Sequence, residues 1–261
     1  MKASTNPPFR PFAAALLGAV LLAEFLGLAA EGTFAEFADA CDPTSENPYF
    51  ATTLYMRGAS EDSGPAVVAF HDSRGNRDQH PLVTAGQVGS VYGLAYHGRD
   101  GVLYAGAFHK RNSAFGPLGT GGLYAIDVRD GSVERFARVP GAGNDMHTRQ
   151  DNYEPDERGR SFAGKSGLGD IDLSEDGRWL FAVNLADRKI HRLSAVDGSE
   201  AGQFPHGAAA EPWADDARPF ALDTWRGWLF HGVTRTAQRS QHADDLFALV
   251  YASRLDGAEM Q

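Results

Sequence analysis

The turns constrain this chain more than any other feature. Short apolar strands are joined by tight turns that end in Gly, and the joined pairs recur in one order. The clearest copy reads VYGLAY, His97 to Gly101, VLYAGAF, then after a longer loop GLYAIDV, Arg129-Asp130-Gly131, SVERFARV. Gly enters the left-handed region at no steric cost and Asp tolerates it, so an Asp-Gly pair between apolar runs marks a hairpin. Strands linked in this way make an antiparallel meander, one four-stranded blade.

The order returns as LGDIDLS, Glu175-Asp176-Gly177, RWLFAVNL, KIHRLSA, Val196-Asp197-Gly198. It returns again as PFALDT, Trp225-Arg226-Gly227, WLFHGVT, LFALVYASR, Leu255-Asp256-Gly257. A degraded copy comes first: YFATTLYM, AVVAF, Asp72-Ser73-Arg74-Gly75, DQHPLV. A period of roughly 40 to 50 residues is that of propeller blades. The expected fold is therefore all-β, a β-propeller or partial propeller of four-stranded antiparallel blades. The blades fall at about 48–87, 88–140, 164–206 and 217–261, the last lacking most of its outer strand. Alternation along the strands places Leu94, Tyr104, Ile126, Ile171, Phe181, Val183, Leu222 and Leu229 in the core.

Residues 1–40 read as a signal segment and spacer ahead of a 41–261 propeller-like domain. Lys2 and Arg10 precede an apolar run broken only by Glu24, followed by small residues. Basic, then apolar, then small is the order of an export signal. A carboxylate at the bilayer centre opposes stable spanning, so no transmembrane span is expected after processing. Export leads to a secreted or cell-surface location. Cys41 is the single cysteine, which excludes an internal disulfide, and Ala38 stands where a lipobox needs an aliphatic residue, which argues against lipid anchoring. The chain carries a net charge of −10 and stays acidic without its first 40 residues. That balance opposes nucleic acid as a partner.

In a blade with strands a to d running outward, the a-b and c-d turns share one face and the b-c and d-a connections share the other. Every Gly turn above is a-b or c-d. The long connections, Phe108 to Gly121, Pro140 to Ser166, Gln203 to Arg218 and Thr234 to Asp245, are all of the other kind. Long loops on a rigid scaffold carry function, so the candidate face is theirs. Its candidate ligand-binding residues are His109, Lys110, Arg111, Asp145, His147, Lys165 and Arg218. Lys110 and Arg111 could form an anion clamp at the mouth of a central channel, or simply open an exposed basic loop.

Asp145, His147 and Asp151 could hold a divalent cation, with the carboxylates suiting calcium and the His admitting a transition metal, but a loop of solvated charges with local Asx turns is the commoner explanation of such residues. Asp170 and Asp172 resemble a calcium loop superficially, but Glu175 stands where an EF-hand needs Gly, and turn chemistry explains them better. Trp179, Trp225 and Trp228 read as blade-packing residues. No Gly-x-Ser-x-Gly or Ser-His-Asp pattern supports nucleophilic hydrolysis.

The run Val88 to Tyr96, then Leu103 to Arg111, and the run Gly164 to Ser174, continuing from Phe181 to Arg188, resemble secreted bacterial propeller-like regions that precede SdrD B-like repeats in cell-surface proteins. The resemblance covers most of Pro48 to Leu255 and implies an exported adhesion or scaffolding module with no catalytic residues to carry over. No SdrD B-like repeats follow here. Two functions stay open: a non-enzymatic surface module that binds protein or glycan through the long-loop face, and a metal-dependent propeller enzyme of the lyase or lactonase kind with Asp145, His147 and His109 near one cation.

Overall fold

The computed structural model describes residues 48–58, 64–71, 79–148 and 155–261. The export segment, Cys41, the Asp72-Ser73-Arg74-Gly75 turn and Asp151 lie outside the described residues. The first sheet holds β1 (Tyr49–Thr53), β2 (Pro65–His71) and β3 (Gln79–Thr84). The second holds β4 (Val91–His97), β5 (Val102–Ala107), β6 (Gly122–Asp127) and β7 (Val133–Arg138). The third holds β8 (Leu168–Leu173), β9 (Trp179–Asn184), β10 (Lys189–Ser194) and β11 (Glu200–Pro205). The fourth holds β12 (Ala217–Trp225), β13 (Trp228–Thr236) and β14 (Leu246–Arg254). All pairings are antiparallel between consecutive strands. Gly101, Gly177 and Gly227 close their hairpins at φ of 64°, 70° and 76°, the backbone that Gly supplies cheaply.

The sheets stand side by side. β4 packs on β8 and β8 on β12, so the first strands of the second, third and fourth sheets line a common axis, and β1 touches β4. This is a propeller-like arrangement, and its core lies between successive sheets. Ala66, Val67 and Val83 of the first sheet meet Leu103, Tyr124 and Ile126 of the second. Tyr104 and Leu123 meet Leu168, Ile171 and Leu180 of the third. Phe181, Val183 and Ile190 meet Leu222 and Leu229 of the fourth. None of these clusters joins strands of the first and fourth sheets among the described residues.

Seven of the eight expected core residues are buried, and Leu94 is only partly so. The reason is local. In β4 the register shifts between Val91 and Leu94, Ala95 packs with Ile171 of β8, and a Cβ at Gly93 would lie 2.6 Å from the Ile171 nitrogen. Small residues let β8 approach there, and Leu94 falls on the opposite face. β5 and β9 break the expected alternation altogether, because both of their faces are covered by neighbouring sheets.

Trp225 also departs from expectation: it is 54% exposed and sits under the Arg226 guanidinium, not between blades. Past β14 the chain doubles back, and Ala252 and Gln261 exchange both backbone hydrogen bonds at 2.9 Å. No helix among the described residues is long and apolar enough to cross a membrane.

Candidate functional site

The long connections are knitted to one another through their backbones. Gly58 bridges Ser113, Gly89 bridges Phe115, and Phe108 bridges Gly167. Four segments, those after β1, β3, β5 and β7, thereby share one platform. The seam at Gly89 is tight: its φ is 68°, and an added Cβ would lie 1.9 Å from the Gly116 nitrogen. No side chain fits there.

His109 follows β5 on this platform, and Asp145 and His147 lie on the connection after β7. The structure brings one ligand atom from each within 4.8 Å of the others. His109 is fully buried, the His147 side chain is fully buried, and Asp145 is the outermost, with its side chain 28% exposed. The two imidazoles stack at 4.5 Å with a 13° interplanar angle. Neither ring nitrogen of His109 has a hydrogen-bond partner among the described residues. Burial, reinforced by His147, pulls the His109 pKa down to about 4, so its imidazole is neutral at neutral pH.

A second carboxylate holds His147. Asp156, fully buried, accepts a hydrogen bond from the His147 Nδ1–H at 2.6 Å and also accepts from the backbone N–H groups of Thr148, Asn112 and Gly159 at 2.9, 3.1 and 3.0 Å. Burial alone would raise this carboxyl; the four donors outweigh it and hold the group well below the usual carboxylate range. Asp156 caps a short helix, Glu157–Phe162, in a stretch the sequence reads as plain loop. With the proton on Nδ1, the His147 lone pair is on Nε2, 4.0 Å from the Asp145 carboxylate. A buried carboxylate that fixes an imidazole tautomer is the support that metal-binding histidines use.

The remaining candidates have local partners. Arg111 donates to the Asp156 carbonyl at 3.1 Å and to Glu157 at 3.3 Å, and the Lys110 ammonium lies 4.6 Å above the Tyr55 ring. Where the sequence suggests an anion clamp at a channel mouth, Tyr55, Tyr92, Phe108 and Phe220 pack together from three sheets, with centroids 4.9 to 6.2 Å apart. Lys165 sits just past the short helix, its N–H bonded to the Phe162 carbonyl. Arg218 lies on β12, where burial and the nearby Arg188 lower its pKa. Asp151 lies outside the described residues.

The opposite face holds a cavity of about 290 Å³ among the short turns, lined by His97, Arg99, Asp172, Asp176, Asp223 and Thr224 among others. Asp172 of this cavity, and Asp170 two residues before it, work as structural ties. Asp172 accepts from the Thr224 N–H at 2.6 Å and Asp170 from Leu222 at 3.2 Å, across an irregularity in β12 between Pro219 and Leu222. These acids therefore lock the third sheet to the fourth, a role beyond the turn chemistry expected of them. Burial raises both of their pKa values.

No protein-family profile matches the chain. It is 30% identical to Colossin-D of Dictyostelium discoideum over 166 residues, which is 59% of this chain and 17% of that protein. It is 31% identical to Colossin-A of the same organism over 116 residues, 40% of this chain and 1% of that protein. The chain thus spans a small fraction of the curated relatives it matches. Among solved structures, it is similar to a chain of a nidogen/laminin complex at 13% identity and a TM-score of 0.46, covering 81% of this chain and 60% of that one. A putative TolB from Agrobacterium tumefaciens gives 13% identity and a TM-score of 0.43, covering 75% and 55%. Likeness at that level assigns no role to any residue.

Proposed function

We propose that this chain is an exported, non-enzymatic propeller-type module that binds a protein partner through its long-loop face. The observation that carries this reading is the set of backbone bridges joining four loop segments into one preorganised platform. Preorganisation lowers the ordering cost of binding, which is what a recognition surface needs. Tyr92, 41% exposed, packs on Phe108 next in sequence to His109 of the platform, which also carries Lys110 and Arg111, and Tyr and Arg are enriched in protein interfaces. Export rests on the basic, apolar and small order of the first 40 residues. The enzymatic alternative needs a substrate to reach two imidazoles that are closed off from solvent, which weighs against it.

The test is a biosensor screen of the purified protein against extracellular proteins and a glycan array. Specific protein binding that Tyr92→Ala and Lys110→Ala weaken, and that Trp225→Ala on the opposite face leaves intact, is the expected result. Binding confined to glycans, or lost only with Trp225→Ala, would overturn the reading.

A further inference from the structure

We propose that His109, His147 and Asp145 bind one divalent transition-metal ion of the zinc class, which pins the long-loop platform from beneath. This goes beyond the binding module proposed above and stands independently of whether that face has a protein partner. Three observations lead to it.

The first is convergence. Residues 38 positions apart in the chain bring two imidazoles and a carboxylate within 4.8 Å of one another. The second is His109 itself. A fully buried imidazole with neither nitrogen hydrogen-bonded is costly, since burying a polar group without a partner loses its hydration for nothing. It lies against the other two ligands, and a metal would supply the missing partner. The third is Asp156, whose carboxylate accepts a hydrogen bond from the His147 Nδ1–H and so leaves the lone pair on Nε2.

The donor set chooses the ion. Two imidazoles and one carboxylate suit zinc, nickel or copper, whereas calcium takes six to eight oxygens. Calcium, one of the ions the sequence leaves open, is therefore the poorer match. Coordination also requires movement, because the lone pairs of two stacked rings do not converge on one point. His147 is held by Asp156, so His109, which has no hydrogen bond to lose, is the ring that turns.

The test is equilibrium dialysis of the purified, chelator-stripped chain against zinc, read by elemental analysis, with cobalt absorption as a report on ligand type. One zinc per chain is expected, together with visible cobalt bands of a low-coordinate site. His109→Gln should remove stoichiometric binding. Asp145→Asn, a partly exposed change that keeps the hydrogen bond from the His147 N–H, should weaken it by at least about tenfold without unfolding the protein. Asp156→Asn should weaken it by about 10 to 100-fold, as loss of a supporting carboxylate does. His206→Gln, a buried histidine elsewhere, should change nothing. Wild-type protein that binds no zinc, or binding that survives both His109→Gln and Asp145→Asn, would overturn the assignment. So would calcium binding with no competition from zinc.

Discussion

Among the described residues, His109 with His147 and His206 with His231 are buried pairs, and they differ in what surrounds them. His109 and His147 stack on the long-loop face with Asp156 bonded to one ring and Asp145 close by. His206 and His231 lie near the fourth sheet, where the His231 Nε2 accepts from the Gly207 N–H at 2.9 Å and its ring stacks on Tyr251. There the nearby charge is Arg188, a cation. Burial, then Arg188, pulls His206 down to about 4; burial, then His206, does the same to His231. Burial alone therefore makes a neutral imidazole. Carboxylates positioned around it are what turn a neutral imidazole into a candidate ligand.

The change expected to separate the pairs most is Asp156→Ala. It strips a hydrogen-bond acceptor from three backbone N–H groups and from His147 at once, and buried groups left unpaired cost about 1 to 3 kcal/mol each before relaxation. Urea unfolding should show a loss of at least about 3 kcal/mol. A loss under about 1 kcal/mol would mean that Asp156 is no hub.

Zinc comes next. At about a hundred times its dissociation constant, an ion that binds only the folded state stabilises by about 2.7 kcal/mol. Thermal melts should rise with zinc in the wild type and in His231→Gln, and stay put in His109→Gln. A rise in all three would place the ion elsewhere.

The second pair should dominate the acid response instead. A histidine whose folded pKa lies near 4 binds fewer protons than the unfolded chain between about pH 4 and 6.5. Its stability contribution is fully present above pH 6.5 and is lost as pH falls toward 4. Unfolding free energies across this window should fall by roughly 2 kcal/mol per histidine, and His206→Gln should flatten the slope. His191 slopes the other way. Burial pulls it down, but Asp187 and Glu200, bonded at 2.8 and 2.9 Å, raise it above its ordinary value. Its contribution is present below pH 6.5 and fades as pH rises.

Arg111→Ala should show the smallest effect, about 0.5 kcal/mol, because its Glu157 partner is mostly exposed. A larger loss in a melt would show that the carbonyl bond to Asp156 braces the first pair.

The sheet boundaries were legible because hairpin chemistry is local. Gly101, Gly177 and Gly227 announce their turns to a reader who knows only their neighbours. The platform's ingredients were legible too, since loop length and polar content are counted along the chain. Asp156 was not, because its role depends on Asn112, 44 residues away, and on a short helix with no periodic signal. Leu94 misled because Gly93 marks a close approach of β8, which alternation does not encode. β5 and β9 read as half-buried strands for a similar reason: only the neighbouring sheets reveal that both faces are covered.

The sheets' wiring has a consequence for how the chain comes into being. Each sheet is made of consecutive strands, so its hydrogen bonds close over short stretches and await no distant segment. A chain wired this way can begin folding while it is still being made, one sheet at a time, with the docking of neighbours as the slower step. The proposed metal ligands straddle that order: His109 emerges with the second sheet, while His147 and its Asp156 brace arrive only with the stretch that leads into the third. The proposed ion would then bind only once that connecting stretch has folded back onto the loop of the second sheet.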